Sequence, residues 1–94
     1  MRRVYILVYN SEFGTRDAVR SIIDAMPEII NWRYELPSSF FIVSEATADR
    51  LANRMRETTG ERGRFIIAEL SPGNRQGLLD PISWNFINTK SDPT

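Results

Sequence analysis

The 94-residue chain contains no cysteine and no histidine. Without cysteine there is no disulfide framework, no thiolate metal cluster and no thiol nucleophile. Without histidine there is no imidazole general base, no Ser-His-Asp triad and no His-ligated zinc. Any metal site has to be built from oxygen ligands, which suit Mg²⁺, Mn²⁺ or Ca²⁺. Excess charge of either sign is also missing, since 12 Lys+Arg balance 12 Asp+Glu. Dedicated nucleic-acid binders usually carry a basic surplus, so neutrality weighs against that class. No apolar run approaches the roughly 20 residues of a membrane span, and no membrane partner is expected. Met1-Arg-Arg followed by Val4–Tyr9 has the order of a signal peptide. That apolar stretch is short, however, and Asn10, Ser11 and Glu12 interrupt it without a small-residue cleavage site. A cytoplasmic location is therefore expected.

What is present is regular patterning over the length of one small domain. Val4–Tyr9 is a continuous β-branched and aromatic run, as expected of a central strand covered on both faces. After the polar loop Asn10–Gly14, Thr15 is a candidate N-cap for a helix carrying Val19, Ile22, Ile23 and Met26 on one face and ended by Pro27. Ile30, Trp32 and Tyr34 alternate with Asn31, Arg33 and Glu35, which predicts a half-exposed second strand. Leu36-Pro37-Ser38-Ser39 breaks it, and Phe40–Val43 follows as a third strand in a hairpin with the second. Thr47 opens a second helix with Ala48, Leu51, Ala52 and Met55 on its apolar face, and Gly60 is its stop. Arg64–Leu70 reads as a fourth strand. Asp80-Pro81 starts either a short helix whose Ile82, Trp84, Phe86 and Ile87 cap the core, or a fifth strand.

The order β-α-β-β-α-β predicts an α+β, ferredoxin-like fold: a four-stranded antiparallel sheet with two helices on one face and a short C-terminal helix or strand. Residues 1–89 are expected to form a single domain and 90–94 a flexible tail. Strands one and three should be central. Both are apolar at almost every position, so the sheet face without helices needs cover from the Trp84/Phe86 segment, from a second subunit, or from both.

Three stretches together resemble the small CRISPR adaptation subunit, the Cas-two family. They are Val4–Asn10, where the family has an apolar strand ending in Tyr-Asp; Leu36–Val43, similar to a strand built around Ser-Val-Phe with Ser39 and Phe41 in those places; and Ala48–Arg56 with Arg64–Leu70, similar to its second helix and fourth strand. The segment Gln76-Gly77-Leu78…Asp80…Trp84 looks more like small SinR-like bacterial proteins with the same core. The resemblance implies a homodimer packed through its sheets. It also implies a divalent-metal site for phosphodiester cleavage at the end of strand one, where an aspartate pairs with its copy across the dimer. This chain has Asn10 there, with Glu12 two residues on as the only substitute. An amide brings no charge to hold a cation, so no resident cofactor is expected, and binding or scaffolding is favoured over cleavage. A Mg- or Mn-dependent ribonuclease or deoxyribonuclease, of the adaptation-subunit or virulence-associated toxin type, is the alternative. A small-ligand regulatory domain is a third.

Expected partners are a second copy of the chain and either a protein or a nucleic acid. Arg16, in the first turn after the Asn10–Gly14 loop, is a candidate anion contact. Arg50 and Arg54 share a helix face in the densest basic stretch, with Arg56, Arg62 and Arg64 nearby, and are candidates for a phosphate backbone, although interleaved Glu57 and Glu61 favour a salt-linked solvated face. Tyr9, Trp32, Tyr34, Phe41 and Trp84 are candidates for sheet-face or dimer contacts, and Trp32 with Tyr34 for stacking on bases. Ser38 and Ser39 have no histidine to activate them and read as turn residues.

Overall fold

The computed structural model describes residues 1–90. Seven elements run β1 (Arg3–Tyr9), α1 (Arg16–Asp24), β2 (Ile29–Arg33), β3 (Ser39–Ser44), α2 (Ala48–Thr59), β4 (Phe65–Glu69) and α3 (Pro81–Lys90). The strands form one antiparallel sheet in the order β2-β3-β1-β4, so the fold is the expected ferredoxin-like arrangement with a C-terminal helix.

Local chemistry sets the element ends. Thr15 Oγ1 accepts from Ala18 N at 3.2 Å, and Thr47 Oγ1 accepts from Arg50 N at 3.2 Å, so each threonine satisfies one of the free N–H groups opening its helix. Gly60 closes α2 in the left-handed conformation, φ +64°. Pro37 and Ser38 turn the chain between β2 and β3, with Ser39 Oγ donating back to Leu36 O at 3.0 Å.

The register assigns the strand side chains to two faces. Tyr5, Leu7 and Tyr9 of β1, with Phe40 and Ile42 of β3, face Val19, Ile23, Leu51 and Met55 of α1 and α2 in the main core. Val4 of β1 and Phe41 and Val43 of β3 face the other way and are buried against Phe86 and Ile87 of α3. The second face is therefore covered, at that end, by the chain's own last helix. Near the β4 side of the same face, Val8 remains 42% and Ile66 65% exposed.

Three expectations change. Ile82 does not cap the core but is 62% exposed, because α3 turns Ser83, Phe86 and Ile87 inward at helical spacing. Lys90, assigned to the tail, is the last residue of α3; residues 91–94 lie outside the described residues. The alternation Ile30–Trp32–Tyr34 is broken by a register shift between Ile29 and Asn31. That bulge puts Ile29 with Trp32 against the main core and leaves Ile30 47% exposed, and β2 ends before Tyr34.

A polar network, which no local pattern announced, docks α3. Glu35 accepts from Asp80 N at 3.0 Å and from Ser83 Oγ at 2.6 Å, and Arg33 Nε donates to Ser83 Oγ at 2.7 Å. Ser83 is fully buried, so its hydroxyl needs both partners. Arg75 ties the far end, donating to Leu70 O at 2.8 Å and to Asn88 Oδ1 at 3.0 Å.

Candidate partner-binding edge

Asn10 was the position on which nuclease chemistry turned, and the fold uses its amide internally. Its side-chain Oδ1 accepts from Phe13 N at 3.1 Å and from Arg64 N at 3.0 Å, while its backbone N donates to Arg64 O at 3.1 Å. Arg62 Nε adds a bond to Phe13 O at 3.2 Å. The loop after β1 is thus clasped to the chain entering β4, with the fully buried Phe13 as its plug against Tyr9 and Phe65. Gly63 makes the clasp possible: a Cβ there would stand 2.2 Å from Phe13 N. A carbonyl oxygen offers two lone pairs, and both are taken by backbone donors, so this oxygen is not presented to a cation. Glu12 is exposed on the turn that follows, and among the described residues no three acidic side chains converge as a metal set.

The other singled-out residues also have partners within the chain. The Arg16 guanidinium lies 4.3 Å from the centre of the Tyr34 ring, a cation–π contact rather than an anion cradle. Tyr34 in turn stacks on Trp32, with ring centres 6.1 Å apart, and both meet Phe40 edge-on. Trp32 Nε1 donates to Asp24 Oδ1 at 2.7 Å. These rings are joined to one another and to the core, and Trp32 and Tyr34 also line an open groove with Ile82 and Phe86 of α3. Tyr9 is buried on the helical side, where burial raises its phenol above the ordinary value and Arg16 partly opposes the rise. Phe41 and Trp84 belong to the cluster under α3.

Arg50 and Arg54 converge on Glu28, at 3.8 and 3.0 Å from its Oε2. The Glu28 side chain is only 6% exposed, and its Oε1 has no hydrogen-bond partner among the described residues. Its own backbone N–H holds the carboxyl below the usual range; burial opposes this, and Arg54 and then Arg50 reinforce it. A carboxylate whose pKa falls on folding stabilises the fold above its unfolded pKa, and that contribution is lost as pH drops through the folded value. Stability should therefore begin to decline below the ordinary glutamate pKa of roughly 4.3. Glu28→Gln should lower the melting temperature at pH 7 by roughly 5 °C and flatten that acid-side decline, read by thermal melts across pH. Equal acid sensitivity in wild type and variant would deny Glu28 this role.

Among the described residues two open surfaces remain: a groove of about 580 Å³ beside β2, lined by Trp32, Tyr34, Ile82 and Phe86, and one at β4. This strand ends the sheet, and it has a groove of about 480 Å³ between itself and α2. Ala48 and Ala52 of α2, one turn apart, make the space, and Phe65 and Ile67 form its floor. Arg56, Arg62 and Arg64 stand around one end, and among the described residues none of the three meets a carboxylate within ion-pair distance. The sequence signal for this groove is the Ala48/Ala52 spacing opposite an apolar edge strand. Comparison with protein-family models, with curated proteins and with solved structures returns no match.

Proposed function

We propose that this chain is a small homodimeric binding or scaffolding protein, related in design to the adaptation subunit it resembles but without metal-dependent nuclease activity. The observation that carries this reading is the use of Asn10 Oδ1 by two backbone N–H groups, at 3.1 and 3.0 Å. The atom at the expected metal position is an acceptor already spent on holding a loop. A protein partner is favoured over nucleic acid because Arg50 and Arg54 are drawn to Glu28 and net charge is zero. An open strand edge beside a groove is a surface that another polypeptide chain can extend by main-chain hydrogen bonding.

Two measurements test this. Single- and double-stranded DNA and RNA incubated with the protein and Mn²⁺ or Mg²⁺ should stay intact, and neither ion should raise the melting temperature. Sedimentation velocity at micromolar concentration should show a dimer. Metal-dependent cleavage would replace the proposal with the nuclease alternative. A monomer throughout the micromolar range would remove the homodimer from it.

A further inference from the structure

We infer that the homodimer forms through the outer edge of β4, two copies joining antiparallel into one eight-stranded sheet; this rests on the homodimer proposed above. The ladder identifies the free groups. Leu70 N donates to Val4 O at 2.8 Å and Asn10 N to Arg64 O at 3.1 Å, and Ile66 and Ala68 pair with Val8 and Ile6. In an antiparallel pair alternate residues bond to the neighbour, so the even-numbered residues face β1. The N–H and C=O groups of Phe65, Ile67 and Glu69 point away from the sheet, and among the described residues nothing bonds them there.

Of the two edges, this is the one without protection. The β2 edge carries the bulge at Ile29/Asn31, a device that spoils pairing with a further strand. The β4 ladder runs in unbroken register, and its sequence FIIAE has no proline and no lysine. Its one charge, Glu69, is at the end and lies 3.7 Å from Arg3.

The surface is complementary to itself. A twofold axis at Ile67 sets Phe65 opposite the second copy's Glu69 and pairs the outward backbone groups. On the face that α3 leaves open, it sets Ile66 opposite the second copy's Ala68, joining two exposed apolar patches around Ile66 and Val8. On the other face the two α2 helices approach antiparallel. The residues α2 turns to the groove are Ala48, Asp49, Ala52 and Arg56. An antiparallel approach centred near Ala52 places alanine on alanine and brings Arg56 beside the second copy's Asp49, twice over. A partner of different sequence would need to supply each of these matches, whereas a second copy supplies them by symmetry.

The experiment is sedimentation equilibrium on wild type, Ile66→Lys, Arg56→Asp and the swap Asp49→Arg/Arg56→Asp, each checked for native far-UV circular dichroism. Ile66 and Arg56 are exposed, so these variants should keep the fold. Ile66→Lys and Arg56→Asp should each weaken dimerisation by about tenfold or more, through a buried charge and through like charges facing each other. The swap should recover most of the loss relative to Arg56→Asp. A wild-type dimer whose constant changes less than about twofold in both single variants would overturn the β4 edge and leave the homodimer standing. A wild-type monomer would overturn both.

Discussion

Gly63→Ala should lower the melting temperature by roughly 15 °C or more, the larger of the two effects expected around the loop clasp. Gly63 has φ +71°, where a side chain costs about 1–2 kcal/mol. Strain is the smaller part. The new methyl would lie 2.2 Å from Phe13 N and 2.6 Å from Glu12 C, both backbone atoms that no rotamer change can clear. The loop has to retreat, and retreat draws Phe13 out of a site where it is fully buried and separates Asn10 Oδ1 from Arg64 N. Losing a buried aromatic ring is worth about 3–5 kcal/mol, which sets the scale. Gly60→Ala is the matched control. Its φ is +64°, but nothing lies within 4 Å of the added carbon, so only the backbone penalty of about 1–2 kcal/mol applies. Equal melting temperatures for the two variants would show that the 62–64 segment is not pressed against the loop.

The parts of the fold that were legible in the sequence are those decided by near neighbours. Thr15, Thr47 and Gly60 act within one helical turn of where they stand, and their roles follow from their own chemistry. Val4–Tyr9 is apolar at both parities because α1 and α2 cover one face and α3 covers the Val4 end of the other, while Val8 stays exposed. Ile82 was misplaced because Ile82, Trp84 and Phe86 alternate as a strand would, while Ser83, one of the residues α3 buries, is polar and hides the true stripe. The Ile29/Asn31 bulge leaves no mark in a run of apolar residues. Distant pairings were the least visible. Glu28 meets Arg54 across 26 positions and Arg33 meets Ser83 across 50, so each arginine read alone looks like free surface charge. Glu57 and Glu61 are nearer in sequence to Arg50 and Arg54, yet the carboxylate that meets them belongs to the segment between α1 and β2.

Asn10 gathers both limits in one residue, since its meaning depends on Arg64, 54 positions away. Asn10→Ala should destabilise the protein by about 1–3 kcal/mol, because Arg64 N loses its acceptor in a half-buried place, while Phe13 N keeps the Asn10 backbone carbonyl at 3.1 Å. Asn10→Asp should not destabilise it. A carboxylate oxygen can take the same two donors, and hydrogen bonds to an ionised acceptor are the stronger kind. Those donors favour the charged form and lower its pKa on folding, so any gain over wild type exists above the unfolded aspartate value of roughly 3.9 and disappears as pH falls through the folded one. The adaptation-subunit arrangement demands the opposite. There the two copies of this residue face each other across packed sheets, so paired aspartates would repel without metal, and Mn²⁺ would restore the stability by mass action. In this chain α3 occupies much of the face such packing would use, covering Val4, Phe41 and Val43. Thermal melts of wild type, Asn10→Ala and Asn10→Asp at pH 7, with and without Mn²⁺, separate the two. The expected order is Asn10→Asp at or above wild type, Asn10→Ala well below, and no variant moved by metal. An Asn10→Asp protein that melts early alone and recovers in Mn²⁺ would place the two strand-one ends together, and the β4-edge dimer would give way to the sheet-packed one.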